Sequence, residues 1–251
     1  MGEVVIWSEL TAAELRDKAR ADAIVLLPVA SIEQHGPHLP VGVDSILCEG
    51  ICRRAAEAVA AEIPVLVAPT LWCGMAEHHM AFGGTFSFDL STYRSVLIAL
   101  TSSIERHGFK RLIIVNGHGG NIAALAAMLP DLAHRSALRI RTTTYFELAQ
   151  PAMPAILEDQ DGVRHACEAE TSMMMAMAPD TVRGDALELA HGPAHVHRRP
   201  LALGQYRSFR DFSPSGVVGD ARRASPEKGE KLIAACTAAI VAALKDRQTW
   251  D

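Results

Sequence analysis

Apolar residues along this chain fall in short runs separated by stretches of helical period, and the alternation repeats. The run Ala23–Ala30 (AIVLLPVA) has the length and composition of a strand buried on both faces. After a polar loop, Leu47, Ile51, Ala55 and Val59 recur at helical spacing, while Glu49, Arg53 and Glu57 fall elsewhere. Asp44 stands where that helix needs an N-cap. A second strand is read at Pro64–Ala68, followed by a Gly- and His-rich stretch through Phe86. Ser91 or Asp89 caps a helix over Tyr93–His107, which Gly108 closes.

Arg111–Val115 is the next strand and runs straight into Asn116-Gly-His-Gly-Gly-Asn121. A helix from about Ile122 to His134 follows, which Pro130 should end early or kink, and Leu138–Tyr145 reads as a further strand. Beyond residue 146 the pattern gives helices at Ala169–Met177 and Pro226–Leu244, with a long loop over Gly192–Gly219. That loop, with Phe209 and Phe212, either covers a site or lies on the surface. The pattern predicts an α/β protein, a three-layer α/β/α sandwich with a mostly parallel sheet, built as one domain over residues 1–251. Ligands of such folds bind outside the carboxyl ends of the strands.

Composition narrows the class. The 251 residues are 49% hydrophobic and 21% charged, as in a folded enzyme rather than a disordered chain. No apolar run reaches the roughly 18 residues of a membrane span, and the first residues lack the pattern of a secretory signal, so a cytoplasmic protein is expected. With a net charge of −5 and basic residues only in pairs such as Arg198–Arg199 and Arg222–Arg223, nucleic acid is not an expected partner. The five cysteines form no CxxC pair; Cys48 and Cys52 share one helix face and should pack as small apolar residues.

Four polar clusters sit where ligands are expected. In the first, Glu33 and His35 project to the same side if the chain leaves its strand extended, and Asp44 returns at the mouth of the next helix. Carboxylate, imidazole and carboxylate suit Zn²⁺ or Mn²⁺, although a polar loop with a capping Asp would look the same. In the second, His118 lies among glycines at a strand's carboxyl edge; the segment lacks the pattern of a phosphate-cradling loop, and a packed histidine in a tight turn is the alternative. The third, His165-Ala-Cys-Glu168-Ala-Glu170, precedes a Met-rich helix whose dipole the carboxylates could simply complement. The fourth holds His78 and His79, of which an extended chain would direct at most one to the site.

Together these segments resemble the creatininase family. The residues that carry the resemblance are Pro28–Pro40 with Asp44, His79–Thr85, Asn116–Asn121, His165 with Glu170-Thr171-Ser172, Gly216–Asp220 and Glu227–Gly229. The resemblance implies a paired metal site and hydrolysis of a C–N bond in a small or cyclic amide through metal-activated water. It implies Glu33, His35, Asp44 and His118 as ligands, with Asp44 bridging, His165 as a proton donor, and Glu170 as a ligand or base. One or two divalent ions per chain are expected, Zn²⁺ and/or Mn²⁺, with Fe²⁺ a further option. The resemblance further implies a small-molecule amide substrate and a homo-oligomer, commonly a hexamer.

Creatininase has Gly-His-Tyr-Glu-Asn where this chain has Gly117-His118-Gly119-Gly120-Asn121, and that Glu contributes to metal binding. Either Glu170 supplies the missing ligand here or the second ion is held more weakly. A formamide deformylase or a peptidase of the same family is an alternative activity. Outside that chemistry, the rivals are a thiol hydrolase using Cys167 or Cys73 and a metal-binding scaffold without turnover.

Overall fold

A computed structural model describes residues 3–195 and 205–250. Arg198–Arg199 and the middle of the Gly192–Gly219 segment lie outside the described residues. The core is a four-stranded, fully parallel sheet of β1 (Ile24–Val29), β2 (Val65–Val67), β3 (Arg111–Asn116) and β4 (Arg139–Thr144), in the order β2-β1-β3-β4. In the central pair Ile24 faces Arg111 and Val29 faces Asn116, so the two strands end side by side.

Helices cover both faces, as the alternation predicts. Because neighbouring strand residues point to opposite faces, Val25, Leu27, Leu112 and Ile114 pack with Tyr93 and Leu97 of α3 (Leu90–Arg106) and Leu125 and Met128 of α4 (Ile122–Arg135). Leu26, Val67, Ile113 and Val115 take the other face. There they pack with Leu47 and Ile51 of α2 (Val43–Val59), Met173 of α6 (Glu168–Met177) and Ile233 of α7 (Pro226–Lys245). A short α5 (Tyr145–Leu148) follows β4 directly, taking Tyr145 from the strand expected there.

Three local expectations are corrected or refined. Asp44 is not the cap of α2: the helix starts at Val43, Gly42 holds the cap position, and the Asp44 carboxylate points inward from the first turn. Pro130 does not end α4, which runs on to Arg135 because Leu125, Met128 and Leu132 on one face stay buried against the sheet. Of the two caps offered for α3, Asp89 is the one used, accepting from Thr92 N, and Gly108 follows the helix at φ 90°.

An additional helix, α1 (Ala12–Arg20), precedes β1. Its start is a capping box: Thr11 accepts from Glu14 N while the Glu14 carboxylate accepts from Thr11 N. Thr11→Ala is expected to lower stability by about 1 kcal/mol, read as a shift in the denaturation midpoint; no shift would mean that packing of Ala19 alone holds this helix.

Candidate metal centre

The carboxyl ends of β1 and β3 carry most of the site. Past β1 the chain places Glu33 and His35, and past β3 it places His118. Asp44 and Glu170 enter from the first turns of α2 and α6, and all five side chains are buried. The two asparagines of the β3 motif hold this corner together. Asn116 Nδ2 donates to His118 O and Thr144 Oγ1, and its Oδ1 accepts from His118 N. Asn121 donates to Ala30 O and accepts from Met75 N, tying the loops after β1, β2 and β3 into one unit.

Asp44 sits between two half-sites. Its Oδ2 is 3.0 Å from His118 Nδ1, which is 3.1 Å from Glu33 Oε2. Its Oδ1 is 3.2 Å from His35 Nε2, which is 3.9 Å from Glu170 Oε2. The far nitrogen of each ring faces a backbone carbonyl: His35 Nδ1 donates to Glu33 O at 3.1 Å, and His118 Nε2 donates to Met75 O at 3.2 Å. In the neutral rings this leaves the lone pairs of His35 Nε2 and His118 Nδ1 aimed at the carboxylates, the arrangement that supports metal ligation. Glu33 Oε2, His35 Nε2 and Asp44 Oδ2 are buried with no hydrogen-bond partner outside this cluster. Three buried carboxylates and two such imidazoles fit divalent cations, one on each side of Asp44.

The electrostatics agree. Burial alone would depress His35, but Asp44, Glu170 and Glu33 raise it to about 9; against the same burial, Glu33 and Asp44 hold His118 well above its ordinary range. Protons on these rings stand in for cations, and metal uptake would release them. Burial raises Glu170 to about 7 despite the pull of His35. Burial and the neighbouring His35 and His79 push His165 well down.

The remaining clusters divide. His165 lies beside the site, its Nδ1 3.6 Å from Glu33 Oε1 and its ring centroid 4.4 Å from that of His35. Glu168 does not reach the site: it accepts from Glu158 N and Asp159 N and pairs with Lys228 Nζ at 2.6 Å. The expectation that only one of His78 and His79 reaches the site is overturned. They lie in a 3₁₀ turn, Glu77–Phe82, not in a strand, so their rings are not on opposite faces and both line the cavity. His79 Nε2 stands 3.3 Å from Glu33 Oε1, and the His78 ring stacks on His118 at 5.8 Å.

Phe209 stacks on His79 at 4.3 Å and meets His165 edge-on at 4.7 Å, so this part of the long loop covers the site. Tyr206 and Arg210 fasten it to Glu77 O and Ala81 O. Cys167 and Cys73 are buried, and burial raises both thiols, Cys167 to about 11; neither is poised as a nucleophile. Cys48 and Cys52 are fully buried among apolar residues of the core.

A buried carboxylate–imidazole centre at the strand ends of a parallel α/β sandwich has the donor set of a metalloenzyme. The family described as "Creatininase: Creatinine amidohydrolase" matches residues 8–244, and the chain belongs to that family. Creatinine amidohydrolase of Pseudomonas putida is 30% identical, covering 98% of each chain. The mycofactocin precursor peptide peptidase of Mycolicibacterium smegmatis is 32% identical over 84% of this chain and 80% of its own length. Zinc-zinc and manganese forms of creatininase superpose with TM-scores of 0.82 at 28% identity, each over 99% of both chains.

Proposed function

We propose that this chain is a dinuclear amidohydrolase that uses Zn²⁺ or Mn²⁺ to cleave a C–N bond in a small or cyclic amide. The observation that carries this reading is the division of Asp44 between two half-sites, Glu33 with His118 on one side and His35 with Glu170 on the other. Divalent ions bound there supply Lewis-acid polarisation of a carbonyl and lower the pKa of water toward roughly 7. The chain's own residues then manage protons. Glu170, the carboxylate of the second half-site, stands where it can take a proton from water, its Oε2 held by Ala166 N. His165 turns Nε2 to Gln34 O and Nδ1 to the site, where it is placed to deliver a proton to the leaving nitrogen.

A peptide or formamide substrate is the second reading, favoured by a cavity of about 890 Å³ whose lining extends from His118 to Phe146, Gln150 and Arg164. That volume lies near the upper end of ligand pockets and exceeds the need of a small ring. Both readings describe one domain acting in the cytoplasm, without nucleic-acid or membrane partners. No helix among the described residues is long and apolar enough to cross a membrane. A homo-oligomer, a hexamer by family resemblance, is consistent with the exposed Trp72 and Phe86, which meet edge to face at 5.4 Å.

The test is hydrolysis of cyclic amides, formamides and short peptides by chain loaded with zinc or manganese. Activity should vanish with a chelator, return with metal and survive thiol alkylation; chelator-resistant turnover would sink the proposal. His165→Ala should retain its metal while kcat falls about 10²-fold, and an unchanged kcat would remove His165 from the proton path.

A further inference from the structure

Gln34 lies between two residues of the site, and strand alternation would turn it away from them. Instead its amide reaches His79 and His165, and its backbone partners indicate how its hydrogen bonds are arranged. Gly36 N donates to Gln34 Oε1 at 2.9 Å, which fixes which end of the amide is oxygen. The nitrogen therefore lies on the other side, 3.2 Å from Gly216 O, 3.0 Å from His79 Nδ1 and 2.9 Å from His165 Nε2. It has two hydrogens for three neighbours. Gly216 O can only accept. His165 Nε2 also lies 2.8 Å from Gln34 O, another pure acceptor, so that nitrogen carries its own hydrogen and does not take one from the amide. The second amide hydrogen goes to His79 Nδ1. A neutral His79 whose Nδ1 accepts must carry its hydrogen on Nε2, the atom 3.3 Å from Glu33 Oε1.

We infer that Gln34 is a positioning residue of the metal centre: it fixes His79 as an Nε2–H donor to Glu33 Oε1, so that Glu33 offers Oε2 alone to the cation. Oε2 is buried with no donor neighbour except the His118 ring, 3.1 Å from its Nδ1. His79 is thereby a support for a ligand and not itself a ligand, although its position alone would let it serve as one with Glu33 and His165. The fold keeps Gln34 in place through Gly216, whose φ is +76° and where an added Cβ would stand 2.0 Å from Gln34 Oε1. Phe209 stacked on His79 closes the other side of the ring.

The inference rests on the metal reading above, and the experiment separates the two. Nitrogen NMR of metal-free, ¹⁵N-labelled chain reads the His79 tautomer directly. Hydrogen on Nε2 with a bare Nδ1 is expected, and Gln34→Ala should abolish that fixed pattern. Zinc affinity, measured by competition with a chromophoric chelator, should fall about 10- to 100-fold in Gln34→Ala and His79→Ala. His79→Gln, whose amide can still donate to Glu33, should recover most of it. Hydrogen on His79 Nδ1 in the wild-type chain, or equal losses in His79→Gln and His79→Ala, would overturn the inference. If the wild-type chain binds no zinc, the metal reading fails while the tautomer still decides the role of Gln34. If Gln34→Ala does not fold, the wild-type spectrum and the His79 pair suffice.

Discussion

A chain carrying His118→Ala is expected to emerge without bound zinc or manganese and without hydrolytic activity. His118 Nδ1 faces Glu33 Oε2 and Asp44 Oδ2 at once, with its far nitrogen held on Met75 O. Removing the ring therefore deletes a donor and leaves two buried carboxylates confronting each other. Loss of a supporting group around a metal ligand typically costs roughly 10- to 100-fold in affinity, and loss of a ligand held between two carboxylates should exceed that range. The metal-free fold should weaken too, because in wild-type chain a raised His118 pKa keeps a positive charge between those acids. Breaking one side of such a buried cluster costs about 3–5 kcal/mol. Elemental analysis of purified variant and wild type, beside their unfolding curves, reads both effects. A variant that keeps its full metal complement and its turnover would remove His118 from the centre and with it the half-site that includes Glu33.

Much of this arrangement is legible in the sequence because its physics is local. β1 and β3 are continuous apolar runs, and strands so composed have to be covered on both faces, which implies the three layers and places Glu33, His35 and His118 at one edge. What stayed illegible depends on tertiary detail. Asp44 has the residue type of a cap, and only the position of Gly42 one residue before the helix frees its carboxylate for the site. His78 and His79 look like strand neighbours until the 3₁₀ turn around them is known. Gln34 carries no chemical signature of its own, and its role arises from Gly36 and Gly216, the latter far away along the chain, meeting its two ends. The helix α1 was available in the sequence, since Thr11 and Glu14 have the spacing of a capping box, but it is short and mostly polar, with Ala19 alone buried.

The surroundings of Gly120 leave no room for a side chain, and a glutamate placed there is expected to damage the centre rather than complete it. A Cβ at Gly120 would stand 2.3 Å from His118 Nε2, 2.4 Å from Met75 O and 2.9 Å from His78 Cε1. Two of those atoms are the partners of the bond that orients His118, and one is backbone, so there is little room to yield. The His78 ring, stacked on His118, fills the space that a longer side chain would enter. Gly120→Glu should therefore lower stability by about 1–3 kcal/mol and turn His118 away from Glu33 and Asp44, so that zinc is lost along with activity. Gly119→Ala is the matched control. An added Cβ there meets nothing within 4 Å, and the change should stay within about 0.5 kcal/mol with metal content unaltered. The two variants differ by one position on the same loop, so a general weakening of the loop would affect both. If Gly120→Glu instead bound a second equivalent of zinc more tightly than wild type, the packing of His78 and His118 would have yielded, and Glu170 would not be needed as the replacement ligand.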